Sequence, residues 1–150
     1  MHINQRNKAT LAVSACAFVL ACAPAQAEKW LLVAGDPESS ISIDTDSIAP
    51  SGGHFIQAWF RTSHPFARDS GTTPEFTYSS FRSLRLFDCR KKASDLLEHE
   101  FFSGEDASGE LVKRQAYPRS SVVLTRVAAG TRGEIILKAA CSLAKAALRN

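Results

Sequence analysis

The feature that most constrains this chain is an amphipathic segment at its C-terminal end with a cysteine, Cys141, in the middle. Thr131 and Glu134 have the spacing of a capping box, in which the hydroxyl accepts from the Glu134 amide and the carboxylate accepts from the Thr131 amide. Apolar residues then recur on two adjacent helical faces: Ile136, Ala140, Leu143 and Ala147 on one, and Leu137, Cys141, Ala144 and Leu148 on the other. The pattern predicts a terminal helix, ending near Arg149, whose apolar stripe must pack on another part of the fold.

The first 27 residues have the composition of a signal peptide. Arg6 and Lys8 precede an apolar run over residues 11–21, which is too short to span a bilayer. Ala25-Gln26-Ala27 is a small-x-small cleavage site, so we predict cleavage between Ala27 and Glu28 and export of the chain. An alternative is a lipid anchor on Cys22, because Val19-Leu20-Ala21-Cys22 loosely resembles a lipobox.

Removal of this leader would leave 123 residues, the size of one domain with its own core. The leader carries two cations and no carboxylate, so the formal net charge falls from +3 to +1. A nearly neutral domain lacks the charge that nucleic-acid binding requires. The sequence therefore predicts a single exported domain over residues 28–150, with no transmembrane segment and no nucleic-acid partner.

Two cysteines, Cys89 and Cys141, lie beyond the leader. Two cysteines left in an oxidising compartment are expected to pair, and neither belongs to a Cys-x-x-Cys redox motif. Their disulfide would close a loop with 51 intervening residues. The lost entropy of the unfolded chain would then stabilise the fold by about 4 kcal/mol. We therefore predict a structural disulfide that ties the terminal helix to a strand.

Alternating apolar and polar residues predict a series of strands before that helix. They cover residues 29–33, 40–44, 54–62, 75–90, 93–102 and 111–117, with a short extended piece over 122–127 and a loop over 63–74. The prediction is an α+β domain, a bent antiparallel sheet of five or six meandering strands with one C-terminal helix packed on a face. We expect the opposite face, with Ile56, Phe60, Leu84 and Leu86, to lack a second layer.

An ordered set of residues resembles the surface-adhesin protein E family of Gram-negative bacteria. The set comprises Trp30, Ile43-Asp44, Ser47-Ile48, Trp59, Asp88-Cys89-Arg90, a glycine-containing hairpin, the Thr131–Glu134 box and Cys141. The resemblance covers nearly all of residues 29–141 and implies a bent sheet with a disulfide-tethered helix, in which Cys89 and Cys141 match the tethering pair. It also implies homodimerisation and, from the adhesin members, binding of host matrix proteins at the bacterial surface.

Other residues invite chemical interpretations that the patterns do not favour. His54, His64 and His99 with Asp44, Asp46 and Asp88 match no metal signature, and surface histidines near turns explain them as well. Ser79-Ser80 and Ser120-Ser121 lack the strand–elbow–helix context of a nucleophile. No catalytic residue, metal site or cofactor is therefore predicted.

Aromatic and basic residues are the remaining candidates for binding. Core packing is the expectation for Trp30 and Trp59, while Phe66, in a polar segment, is a candidate exposed anchor. Arg82, Arg85 and the run Arg90-Lys91-Lys92 fit either an anionic polysaccharide or a solvated face.

These features favour an exported binding protein of the adhesin type, periplasmic or displayed on the outer surface. The runner-up is a periplasmic accessory protein whose open sheet face pairs with a partner subunit. A small secreted enzyme is disfavoured because no acid/base or nucleophile constellation is present.

Overall fold

The protein is described by a computed structural model over residues 28–147. The predicted signal peptide (residues 1–27, with Cys22) and the positions Leu148 and Arg149, which the sequence assigned to the terminal helix, lie outside the described residues. Within this range the strands are β1 Trp30–Asp36, β2 Ser39–Asp44, β3 Ala49–Pro50, β4 Ile56–Asp69, β5 Thr77–Asp88, β6 Ala93–Phe102, β7 Leu111–Ala116 and β8 Thr125–Arg126, followed by the helix α1 Arg132–Ala147.

The described strands form one antiparallel sheet in the order β1-β2-β4-β5-β6-β7, so the long strands meander as predicted. The two-residue strands β3 and β8 add to this path by pairing with β4 and β6. Register shifts interrupt four of the pairings, including one in β5–β6 between Leu84 and Arg85. Such irregularities increase local twist and bend a sheet, which lets one helix cover part of a face.

One predicted boundary is wrong, because residues 63–74 do not form a single loop. Strand β4 continues to Asp69, and Arg68 and Asp69 pair with Tyr78 and Thr77 of β5. The register shifts between Ser63 and Arg68, in the stretch that contains Pro65. Proline has no N–H to donate to the ladder and is tolerated at bulges, so pairing with β5 is interrupted around Pro65 and resumes at Arg68.

The core lies between α1 and one face of the sheet. Buried residues of β2, β4 and β5 meet buried residues of the helix: Ile41, Ile43, Ile56, Ala58, Phe60 and Phe87 on the sheet, and Leu137, Ala140 and Ala144 on α1. The expectation that Ile56 and Phe60 occupy the opposite face is therefore wrong. Ile56 pairs directly with Phe87, and paired residues share a face, so the register places both under the helix.

The disulfide is present, as predicted. Cys89, just after β5, is bonded to Cys141 in the middle of α1, with 5.8 Å between their Cα atoms. The capping box forms in part: the Glu134 amide donates to Thr131 Oγ1 at 3.3 Å. The Glu134 carboxylate accepts from the Gly130 amide at 2.8 Å, one residue upstream of the predicted donor, and this bond lowers the pKa of Glu134.

Candidate binding surface

The helix covers only part of its sheet face, and the rest of that face carries aromatic side chains. One row of paired residues runs Ile41, Thr62, Phe81, Phe101, Lys113 across five strands. Ile41 belongs to the core under α1, whereas Phe81 and Phe101 are half-buried and lie beyond it. This face of the sheet is therefore part of the core at β2 and accessible surface at β5 and β6.

Six rings form this surface, which we call the aromatic patch: His64, Phe76, Tyr78, Phe81, His99 and Phe101. Phe101 is central, with ring centroids of Tyr78, Phe76 and His99 at 5.0, 5.1 and 5.2 Å. These contacts are edge-on, the geometry that aromatic quadrupoles favour. All six side chains are half-buried, so the rings brace one another while part of each remains accessible.

Two cations, Arg85 and Lys113, act on individual rings of the patch. Burial, and secondly the positive charge of Arg85, lower the pKa of His99 from 6.5 to about 4. His99 is therefore neutral at physiological pH and packs against its neighbours as an uncharged aromatic ring. Lys113 of the edge strand β7 lies 5.1 Å from the Phe76 centroid, in a cation–π arrangement.

Phe66 is the most exposed large hydrophobic residue of the described range, at 79%. It lies in the irregular stretch of β4 between Ser63 and Arg68. The prediction of an exposed side chain is confirmed, although the residue belongs to a bulged strand and not to a loop.

The sheet face opposite the helix carries charged side chains that are paired with one another. Arg82 bonds Glu100 at 2.7 Å and Glu28 at 2.5 Å, and Arg114 bonds Glu98. A surface whose cations are already matched has little charge to offer to an anionic polysaccharide. Arg82 therefore does not support the polysaccharide interpretation.

Both tryptophans lie on this opposite face and not in the core, contrary to expectation. The Arg61 guanidinium stacks over Trp30 at 4.7 Å, and the Arg82 guanidinium over Trp59 at 5.1 Å. Trp59 pairs with Leu84, which confirms the prediction that Leu84 faces away from the helix. Arginine stacking shields the rings from water and reduces their value as contact anchors.

The loop between β6 and β7 folds back on the same face, an arrangement that sequence patterns did not indicate. Fully buried Ser80 donates to the Gly104 carbonyl at 2.5 Å and accepts from the Ala107 amide at 2.8 Å. Ser63 accepts from the Asp106 amide at 3.0 Å. These serines satisfy the loop backbone, so Ser80 serves a structural role here.

Of the candidate metal ligands within residues 28–147, only His54 and Asp88 are joined through both of their side chains, at 3.0 Å. The other oxygen of Asp88 accepts from the Arg90 and Lys91 amides, each at 3.0 Å. The Lys91 amide first, and His54 after it, hold the pKa of Asp88 below its usual range. No group of three metal-ligating side chains occurs in the described part of the chain. The Asp88 carboxylate instead closes the turn beside Cys89 through its bonds to the two amides.

Among the described helices, none combines the length and apolar character needed to cross a membrane.

Comparison with known proteins agrees with this architecture. No curated protein sequence gives a significant match. In the solved structures, Haemophilus influenzae protein E in crystal form II is 13% identical, with a TM-score of 0.51 over 68% of this chain and 80% of that one. A second structure of that protein is 13% identical, with a TM-score of 0.49 over 68% of this chain and 76% of that one. Protein E from non-typeable Haemophilus influenzae is 15% identical, with a TM-score of 0.45 over 73% of this chain and 82% of that one.

The first of these similarities supports the fold alone, because its sequence identity is low. The sequence profile described as Surface-adhesin protein E matches residues 30–142, from the first strand to the residue after the disulfide. This match spans most of the described sheet and helix, and the chain therefore belongs to the surface-adhesin protein E family.

Proposed function

We propose that this protein is exported, binds host extracellular-matrix proteins at the bacterial surface, and does so through the aromatic patch. The observation that carries the proposal is the extension of one sheet face beyond the helix, where six half-buried rings replace a second layer. Aromatic residues dominate the energetics of protein interfaces because they bury a large area with few rotatable bonds. Membership of an adhesin family supports the same conclusion.

The patch also has the composition expected of a contact surface. Its rings are held by one another and by strands β5 and β6, so little side-chain entropy is lost when a partner covers them. His99 is uncharged at neutral pH, so covering it carries no charge-desolvation cost. We propose that binding, and not catalysis, is the activity of this surface.

Binding to plates coated with collagen, fibronectin or laminin tests the proposal. Phe76→Ala and Phe101→Ala remove patch rings and should each weaken binding by at least tenfold, as expected for central interface aromatics. Val123→Ala is the matched control, because Val123 is 73% exposed and outside the patch. Phe66→Ala tests the exposed anchor separately. Binding retained by both patch variants, with their folds intact, would refute the proposal.

A second candidate is an accessory protein of the periplasm that pairs with a partner subunit. It is favoured by β7, a terminal strand of the described sheet that exposes Leu111 and Val112 at 46% and 37%. An edge strand with unpaired backbone groups accepts a further strand from a partner. Surface labelling of intact cells separates display from periplasmic retention, and affinity purification from the periplasm identifies a dedicated subunit.

Homodimerisation remains a proposal that rests on the family resemblance. Sedimentation analysis at several protein concentrations measures it directly, and a concentration-independent monomer would contradict it.

A further inference from the structure

A cavity of about 510 Å³ lies between α1 and the segment that leads into it. Its apolar walls are formed by Val127, Leu137 and the Cys89–Cys141 disulfide. This volume falls in the range of about 300–1,000 Å³ found for small-molecule sites. The cavity is separate from the aromatic patch, since no patch residue lines it.

Both sides of the cavity are held in place by bonds that do not depend on a ligand. On the helix side, the disulfide ties Cys141 to the end of β5. On the other side, the Val127 amide donates to the Lys92 carbonyl at 2.9 Å, and Arg126 pairs with Ala93 in the sheet. The cavity is therefore preformed, which lowers the ordering cost of binding.

The polar groups of the cavity have an excess of positive charge. Lys92, Arg126 and Lys138 line it together with one carboxylate, Glu134. Glu134 bonds Lys138 at 2.9 Å and accepts from the Gly130 amide, and the charge of Lys92 also lowers its pKa, so one carboxylate faces three cations. Lys92 and Arg126 form no ion pair with any residue in the range 28–147.

We propose that this cavity binds a free amphiphilic carboxylate of the medium-chain fatty-acid class. Lys92 and Arg126 would receive the carboxylate, because charge-assisted hydrogen bonds are the strong ones and an unmatched cation favours an anion. The apolar chain would lie along Val127, Leu137 and the disulfide. A ligand with one anionic end and an apolar body matches both the charge and the apolar walls of the cavity. An uncharged or cationic ligand of the same length matches only the walls.

Calorimetric titration of the disulfide-bonded protein with decanoate, below its micelle concentration, tests the proposal. We expect saturable binding of one decanoate per chain. Lys92→Gln and Arg126→Gln should each weaken it at least tenfold. Lys91→Gln and Arg90→Gln make the same changes in the adjacent turn, outside the cavity lining, and should leave the affinity unchanged. Decanol and decyltrimethylammonium should bind at least tenfold more weakly than decanoate.

Three results would each overturn the proposal: no saturable binding of decanoate, equal affinity for decanol, or undiminished affinity of both cavity variants. Because the cavity and the aromatic patch share no residue, matrix-protein binding by the same variants reports on the proposed adhesin function independently.

Discussion

Removal of the disulfide by Cys141→Ser should destabilise the protein by about 4 kcal/mol. The bond joins residues 52 apart in sequence, and release of a loop of that length from the unfolded chain gives this value on the chain-entropy model. The helix would keep its packing through Leu137, Ala140 and Ala144, so the folded contacts change little. For a domain of this size the loss corresponds to a decrease in Tm of roughly 15 °C.

Chemical denaturation with and without a reductant measures the effect on the wild-type protein and the variant. Reduction should lower the wild-type stability to about that of Cys141→Ser, and should leave the variant unchanged. Ser142→Ala is the matched control: Ser142 is exposed beside Cys141, and its change should stay within about 0.5 kcal/mol. An unchanged wild-type midpoint under reduction would refute the reasoning that the bond acts by restricting the unfolded chain.

Three further predictions concern the core, the loop and pH. Leu137→Ala should lower the free energy of unfolding, measured with denaturant, by about 2–5 kcal/mol, because Leu137 is 4% exposed where the helix meets the sheet. Ile135 is exposed on the same helix, so Ile135→Ala should lower it by less. Ser80→Ala should lower the free energy of unfolding by about 1–3 kcal/mol, because the Ala107 amide loses its acceptor. It should also speed hydrogen exchange of the amides in residues 104–107, and unchanged exchange there would contradict this prediction. The pKa of His99 is about 4 in the folded protein and 6.5 in the unfolded chain, so the unfolded state binds more protons between these values. Wild-type stability should therefore fall relative to His99→Gln as the pH decreases from about 6.5 to about 4, and parallel profiles would contradict the assignment.

Much of the architecture follows from local patterns. The alternation over residues 93–102 predicts β6, and the structure has that strand as Ala93–Phe102. The apolar stripe and the Thr131–Glu134 spacing predict α1 and its first cap bond. The disulfide follows from composition, because only two cysteines lie beyond the predicted leader. These predictions succeed because periodicity, capping and cysteine pairing depend on residue type and spacing alone.

The binding surface is harder to predict from sequence. Its rings come from β4, β5, β6 and the residues before β5, and alternation within one strand does not tell which rings of another will face them. His64 and Tyr78 meet only because β4 continues past the bulge at Pro65 and pairs again with β5. Bulges and continued pairing are decided by contacts between strands, so the patch has no local signature.

Sequence alone determined most of the element types, the terminal helix and its covalent tether. The tertiary structure decided which face each strand turns to that helix: the Ile56–Phe87 register places Ile56 and Phe60 in the core and leaves Trp59 under Arg82 on the other side. The physical reason is that side chains alternate between faces with a period of two, so the assignment of a whole strand depends on which residues pair across the sheet. That pairing is set by the bulges, the turns and the docking of the helix together.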